Sequence, residues 1–539
     1  MQVCGFSSGK SRVQPWRDVV LSMLTLCAMF AFLSVRLNAD QDEQQKVASA
    51  AKLVQGGQLG EAESLVWGVL TRDPDNAEAL NLLGYVRLRQ KRLAESETLL
   101  RRAITLSPKL LPAYITLARL FHAQDDTDKE IAALLDASRL APGDAQIHCD
   151  LAAAYLKRND YRQALDSLQQ ISGANPPDVK FLLLATTYLG LGRTADVDTL
   201  TPTIMSRGAK DPKLLVQFAE VLLDFDLTSQ ALYILETAQK KVQHPSAALL
   251  LTLGRAHERR DEYTLAEREL RQALRLDSRS VDILQALARV LARQGQWEKS
   301  LELLVTARKL DPNSPEVLRK LAATSLHTGA ASQAVEAAQA LVKLGPNDPD
   351  ALYLLGVAQL QNGESEEART NLESYAKLRP QDGLAFLALA MAEIGLRDLP
   401  AAEANLQQSI KLDPNRAEAY YQLSLIFRER GDNSAAITQL QKAVAVNNQY
   451  APAHAVLGAL YLSLQQYDKA QEHLMHAVAL APDTADTHYQ LGLLFARLNQ
   501  RDRAQREMEQ FRKLKDKGNS DGTPAVAPPA TFQPAGPPS

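Results

Sequence analysis

Cysteine is nearly absent from this chain: 539 residues hold three, Cys4, Cys27 and Cys149. Two lie near the amino terminus and Cys149 stands alone in the body, so removal of the leader would leave no disulfide framework within one mature chain. Cys149 reads as a small buried apolar residue. Aromatic residues make up only 6% of the chain, and the dominance of Ala and Leu favours helix over strand. Excess charge is lacking too. The formal net charge is -3, which argues against nucleic acid as a partner. The signatures of common catalysts are missing: there is no GxxxxGK[ST], HExxH or CxxC. His257-Glu258 begins like a zinc-binding helix, but Asp261 stands where the second histidine is required. His473 and His476 share a helix face at i,i+3 with no third ligand near them in sequence. No βαβ pattern offers a Rossmann-like region, and no alternating run suggests barrel strands. Neither a cofactor nor a metal is expected, and the chain reads as non-enzymatic.

Long apolar runs are limited to one, Val19 to Val35, VVLSMLTLCAMFAFLSV. Lys10, Arg12 and Arg17 precede it, and Arg36 and the acidic DQDE follow. Residues 1–39 therefore read as a signal peptide or signal anchor with its front in the cytoplasm. As a helix the run reaches about 26 Å, the low limit for spanning a bilayer. Leu37-Asn38-Ala39 makes a poor cleavage site. The expectation is export, with the body periplasmic or tethered facing away from the cytoplasm.

What the chain does hold is a repeated phrase. LDPNRAEAYYQLS runs from Leu412 to Ser424, with relatives RDPDNAEALNLLG from Arg72 and LAPDTADTHYQLG from Leu480. Prolines at Pro74, Pro108, Pro142, Pro312, Pro346, Pro380, Pro414 and Pro482 mostly stand 34 residues apart. Ten residues after most of them lies a tiny residue: Gly84, Ala118, Ala152, Ala288, Ala322, Gly356, Ala390, Ser424, Gly458 and Gly492, with Gly254 one residue out of step. Leu precedes each, and twelve residues later comes Ala, as at Ala266, Ala334, Ala368, Ala402, Ala436 and Ala470. Each period holds two apolar-periodic segments of helix length. Proline ends the second segment, because it lacks an N–H and clashes with the preceding turn. Asn159, Gly295, Gly363 and Gly431 lie where a left-handed residue ends the first. Asn76, Asn313 and Asn415 are expected to cap the next helix, and Pro315 and Pro349 fit its first turn. The tiny residue and the Ala let the two helices approach closely, so added bulk at Gly84 or Ala436 should overpack the hairpin.

These spacings resemble the tetratricopeptide repeat family over residues 43–518, in about fourteen units. The resemblance implies an all-α, right-handed superhelical solenoid whose concave surface, lined by first helices, binds extended peptides or helices. The family's ligand-facing positions fall on Arg255, Arg259, Arg289, Arg293 and Arg319, and on Tyr353, Tyr421 and Tyr489. Arg forks bind carboxylates in bidentate fashion, so the resemblance implies an acidic or carboxylate-ended protein segment along the arginines. A solvated face neutralised by Glu258, Asp261, Glu262 and Asp282 is the alternative. For the tyrosines, ligand contact and packing against the adjacent helix stand side by side.

The frame frays at 177–246, which reads as a drifted repeat with a longer turn or as a hinge near 190–215. From 519 to 539 a Pro/Ala/Gly-rich tail is expected to be disordered. The leading reading is a protein-interaction scaffold. The alternatives are an assembly subunit of a polysaccharide-export or envelope-secretion machine, and a regulatory subunit of an enzyme complex. Membrane contact is expected only through an uncleaved amino-terminal segment.

Overall fold

A computed structural model describes residues 42–173 and 176–520. The leader at 1–39 and the tail from residue 521 onward lie outside the described residues. The described chain contains twenty-eight helices, pairing as fourteen hairpins, and no strand. It divides into two compact bodies between Pro245 and Ser246.

The first body holds α1 (42–55), α2 (Leu59–Leu70), α3 (Ala77–Arg89), α4 (Leu93–Leu106), α5 (Leu111–Ala123), α6 (Thr127–Leu140), α7 (Ala145–Lys157), α8 (Tyr161–Gln169), α9 (Asp178–Gly190), α10 (Thr194–Gly208), α11 (Pro212–Asp224) and α12 (Thr228–Lys241). The second holds α13 (Ala247–Arg259), α14 (Tyr263–Leu276), α15 (Val281–Arg293), α16 (Trp297–Leu310), α17 (Pro315–His327), α18 (Ala331–Leu344), α19 (Pro349–Gln361), α20 (Ser365–Leu378), α21 (Gly383–Gly395), α22 (Leu399–Leu412), α23 (Ala417–Glu429), α24 (Asn433–Val446), α25 (Ala451–Ser463), α26 (Tyr467–Leu480), α27 (Ala485–Arg497) and α28 (Arg501–Ser520). Within each body a helix packs on the next in the chain, and several first helices also touch the first helix of the following hairpin. That is the nearest-neighbour stacking of a solenoid.

The hairpin closes on the tiny residue of its first helix. A Cβ added at Gly84 would lie 2.8 Å from Leu100 Cγ, and at Gly254, Gly356 and Gly458 it would lie 2.5, 2.5 and 2.6 Å from Leu270, Leu372 and Leu474 Cγ. At Gly492 it would meet the Met508 side chain at 2.9 Å. Ala436, like the Ala of most second helices, is fully buried, as are Leu287, Leu321 and Leu457 beside the tiny residues. Each such buried Leu contributes about 1.5–3 kcal/mol. Where Ser replaces that Ala, at Ser96 and Ser300, its hydroxyl donates to the carbonyl of Gly84 or Ala288 at 2.7 Å.

The turns follow equally local rules. Seven residues after each tiny residue the backbone turns left-handed: Asn159, Gly295, Gly363 and Gly431 do so as expected, and so do Lys91, Arg397 and Gln465. Pro74 and Pro414 stand in the turns before α3 and α23. Asn76 caps α3 by accepting from the Ala79 N–H. Two of the expected caps are displaced: α17 is capped by Ser314 rather than Asn313, and α23 has no side-chain cap at its N-cap residue, Arg416. There Asp413 instead accepts from the Asn415 N–H within the turn. The repeated phrase is thus this turn and the start of each first helix.

In the fraying stretch the frame is intact but shortened. Ala185 is the fully buried tiny residue, Gly192 supplies the left-handed turn, and Val197, 3% exposed, takes the Ala position. Pro202 lies inside α10. The step from Ala152 to Ala185 is one residue short, and the step from Ala219 to Gly254 restores it. The division between the bodies falls at Pro245–Ser246, outside 190–215. α28 is largely charged and polar, and most of its described side chains are exposed.

Candidate functional site

The arginines expected to line a groove stand on α13, α15 and α17 of the second body. Arg255 and Arg289 each follow the buried tiny residue by one position, with Arg259 and Arg293 a turn further on. Four-residue spacing keeps each pair on one helix face. Tertiary contacts then sort the group. Arg289 donates from Nε and Nη2 to the two oxygens of Glu258, one hairpin earlier, at 2.5 and 2.7 Å. That bond is the first reason its guanidinium is held above its ordinary range. Arg319 turns to Asp348 at 3.0 Å and Asp350 at 3.7 Å in the next hairpin. Arg259 is engaged as well. Among the described residues, the guanidiniums of Arg255 and Arg293 take part in no ion pair or hydrogen bond.

The sequence reading missed Lys320. From α17 it donates to Gln285 on α15 at 2.8 Å and to Glu316 at 2.5 Å. Lys320 first, and the fields of Arg289 and Arg255 after it, hold the Glu316 carboxyl below its usual range. Arg255, Glu258, Arg289, Glu316 and Lys320 therefore form one electrostatic strip across three first helices. Lys320 falls one residue after Arg319, and only the frame position distinguishes the two.

The three tyrosines separate. Tyr353 packs its ring 5.1 Å from Tyr375 of the same hairpin, and burial pushes its phenol well above the normal range. Tyr421 meets Tyr450 edge-on at 5.5 Å and is half-buried. Tyr489 is 39% exposed beside Phe511, at 5.2 Å. Of the three it presents the most free surface.

His473 and His476 do acquire a third ring, His454 of α25, whose centroid lies 5.3 and 4.4 Å from theirs. Among the described residues no group of three His, Cys, Asp or Glu side chains is arranged to hold a metal ion. No described helix is long and apolar enough to cross a membrane.

A stack of helical hairpins closed on small residues, with side chains of successive first helices sharing one strip, defines a helical-repeat protein of the scaffold class. Profiles described as tetratricopeptide repeat match residues 48–110, 258–324, 328–383 and 451–484, and one described as TPR repeat matches 424–465. The chain is a tetratricopeptide repeat protein. No curated protein matches it. Similar solved structures include a tetratricopeptide repeat protein from Parabacteroides merdae ATCC 43184, at 17% identity and a TM-score of 0.43, covering 46% of this chain and 98% of that one. The APC/C hetero-tetramer Cut9-Hcn1 gives 16% identity and a TM-score of 0.40, with 83% and 95% covered. MamA 41-end from Desulfovibrio magneticus RS-1 gives 23% and 0.29, with 31% and 95% covered.

Proposed function

We propose that the chain is a non-enzymatic scaffold that binds an acidic protein segment along the first helices α13, α15 and α17. The observation that carries this is that, among the described residues, the guanidiniums of Arg255 and Arg293 make no hydrogen bond or ion pair, on first helices whose Arg289, Arg319 and Lys320 are paired. Charge pairs within the strip fix the orientation of Arg289 and Lys320, which lowers the ordering cost of binding. A partner carboxylate completes the two free forks in bidentate geometry. The amino-terminal apolar run supports a working site outside the cytoplasm, periplasmic or membrane-tethered.

The test uses fluorescent decapeptides rich in Asp and Glu, with Ala/Gln decapeptides as controls, titrated against the full chain by anisotropy. The acidic peptides should bind, and weaken at least tenfold in the R255E/R293E double variant and on raising salt past the point where the Debye length falls below about 5 Å. Equal binding of both peptide sets, or no loss in the variant, refutes the reading. Photocrosslinkers placed at positions 255 and 293 in cells would then identify the natural segment.

A further inference from the structure

We propose that hairpin α25–α26 is a pH-operated joint: the contact between His454 and His473 holds its two helices together at neutral pH and forces them apart when both rings are protonated. The geometry fixes the hydrogens. His454 is 4% exposed, and its Nε2 lies 3.1 Å from the carbonyl oxygen of Asn448. A carbonyl only accepts, so Nε2 carries the hydrogen and Nδ1 of the neutral ring is left as an acceptor. That Nδ1 faces Nδ1 of His473 at 3.1 Å, so His473 donates. One hydrogen thus sits between two nitrogens. The same gap with both rings cationic holds two hydrogens and two like charges.

Two other hairpins carry a histidine at the same place. His148 and His488 occupy the place of His454 in their own hairpins, and each points Nε2 at the turn carbonyl six residues back, 2.9 Å away in both cases. The place of His473 is taken by Glu507 in the last hairpin, where it meets His488 Nδ1 at 2.6 Å. A carboxylate only accepts, so that gap takes its hydrogen from the ring, whereas in α25–α26 the facing group is a second ring with a hydrogen of its own.

The surroundings offer little compensation. From α26 itself come Glu472, whose field favours the protonated rings, and His476, whose Nε2 reaches the same Asn448 carbonyl at 3.1 Å. Lys469 sits over Tyr461 of α25, which stacks on His473. From α24 come the neutral Gln441, bonded to the Tyr461 hydroxyl, and Lys442 over Tyr420. On α27, His488 is engaged by Glu507. Burial first, and the neighbouring histidines with it, lowers the proton affinity of His454 and His473. The unfolded chain then binds protons more readily than the folded hairpin. Stability is fully present above the unfolded value of about 6.5 and is lost as pH falls below it.

The experiment is hydrogen exchange by mass spectrometry on the full chain at pH 7.5 and 5.0, corrected for intrinsic rates. Peptides from 451–480 report the joint and peptides from 485–510 serve as the internal control. Protection in 451–480 should fall about tenfold for each unit of lowered proton affinity, while 485–510 holds. The loss should shrink in His473→Gln, which leaves only the burial of His454, and vanish in His473→Glu, where a carboxylate faces the ring. Equal protection at both pH values, or the same loss in both variants, overturns the proposal. If the variants misfold, histidine NMR of the wild-type chain decides: separated, coupled titrations of His454 and His473 support it, and two ordinary titrations near pH 6.5 overturn it.

Discussion

Consider Gly356→Ala in α19. The new Cβ lies 2.5, 2.7 and 3.2 Å from three carbons of the Leu372 side chain, where ordinary carbon contacts need about 3.5–4.0 Å. Leu372 is fully buried, so it has no solvent side to retreat to, and α19 and α20 must separate. Overpacking of this kind costs about 1–3 kcal/mol. Alanine's helix propensity returns about 0.8–1.0 kcal/mol, so a net loss of up to about 2 kcal/mol is expected. The internal control is Gly68→Ala in α2, an exposed helix glycine with nothing within 4 Å of the added carbon. Only the propensity term acts there, and the variant should gain about 0.8–1.0 kcal/mol. Repeat arrays depart from two-state unfolding, so the assay is local hydrogen exchange in the altered hairpin. Leu372→Ala alone should cost about 2–5 kcal/mol. Combined with Gly356→Ala it should cost less than the sum, because the clash has lost its partner. Strict additivity, or a protected Gly356→Ala hairpin, would refute the claim that this glycine is fixed by close approach.

Other consequences are as direct. In the first body, Arg87, 5% exposed, donates to Glu63 at 2.7 Å; that bond and a second from Gln90 hold the Glu63 carboxyl down at about 2, from 4.5. A depressed carboxylate stabilises above its unfolded value and loses the contribution as pH falls from about 4.5 towards 2, so acid titration of the α1–α4 region should flatten in that window in Glu63→Gln. Gln465 holds a left-handed backbone, and Gln465→Gly should stabilise its hairpin by about 0.5–1 kcal/mol, relief of strain outweighing the added freedom of the unfolded chain. Ser314→Ala should cost about 1 kcal/mol through the lost cap of α17, whereas Asn313→Ala should leave thermal stability nearly unchanged.

The hairpin repeat was legible because its determinants are local and steric. A tiny residue, a Leu beside it, an Ala twelve residues on and a proline in the turn state where helices begin, end and touch, whatever else the chain does. Even the stretch around Ala185 keeps that grammar, hidden by a one-residue deletion that shifted Val197 into an Ala position. The left-handed turns at Lys91, Arg397 and Gln465 were not legible, because those residues carry no turn preference; the hairpin imposes the conformation on them.

The sequence by itself determined the period, the all-helical hairpin and the buried seam. Only the tertiary structure decided which charges remain available. Five arginines looked equivalent along one face, yet Arg289 is claimed by Glu258, 31 residues away, and Arg319 by Asp348, 29 residues away. Long side chains reach several acidic candidates across adjacent hairpins, and the choice among them depends on rotamer and distance rather than spacing. His454 and His473 were likewise separate letters until α25 and α26 folded together. Packing of small residues is written in the chain one position at a time, whereas a charge or a proton acquires its meaning from the neighbours that folding brings to it.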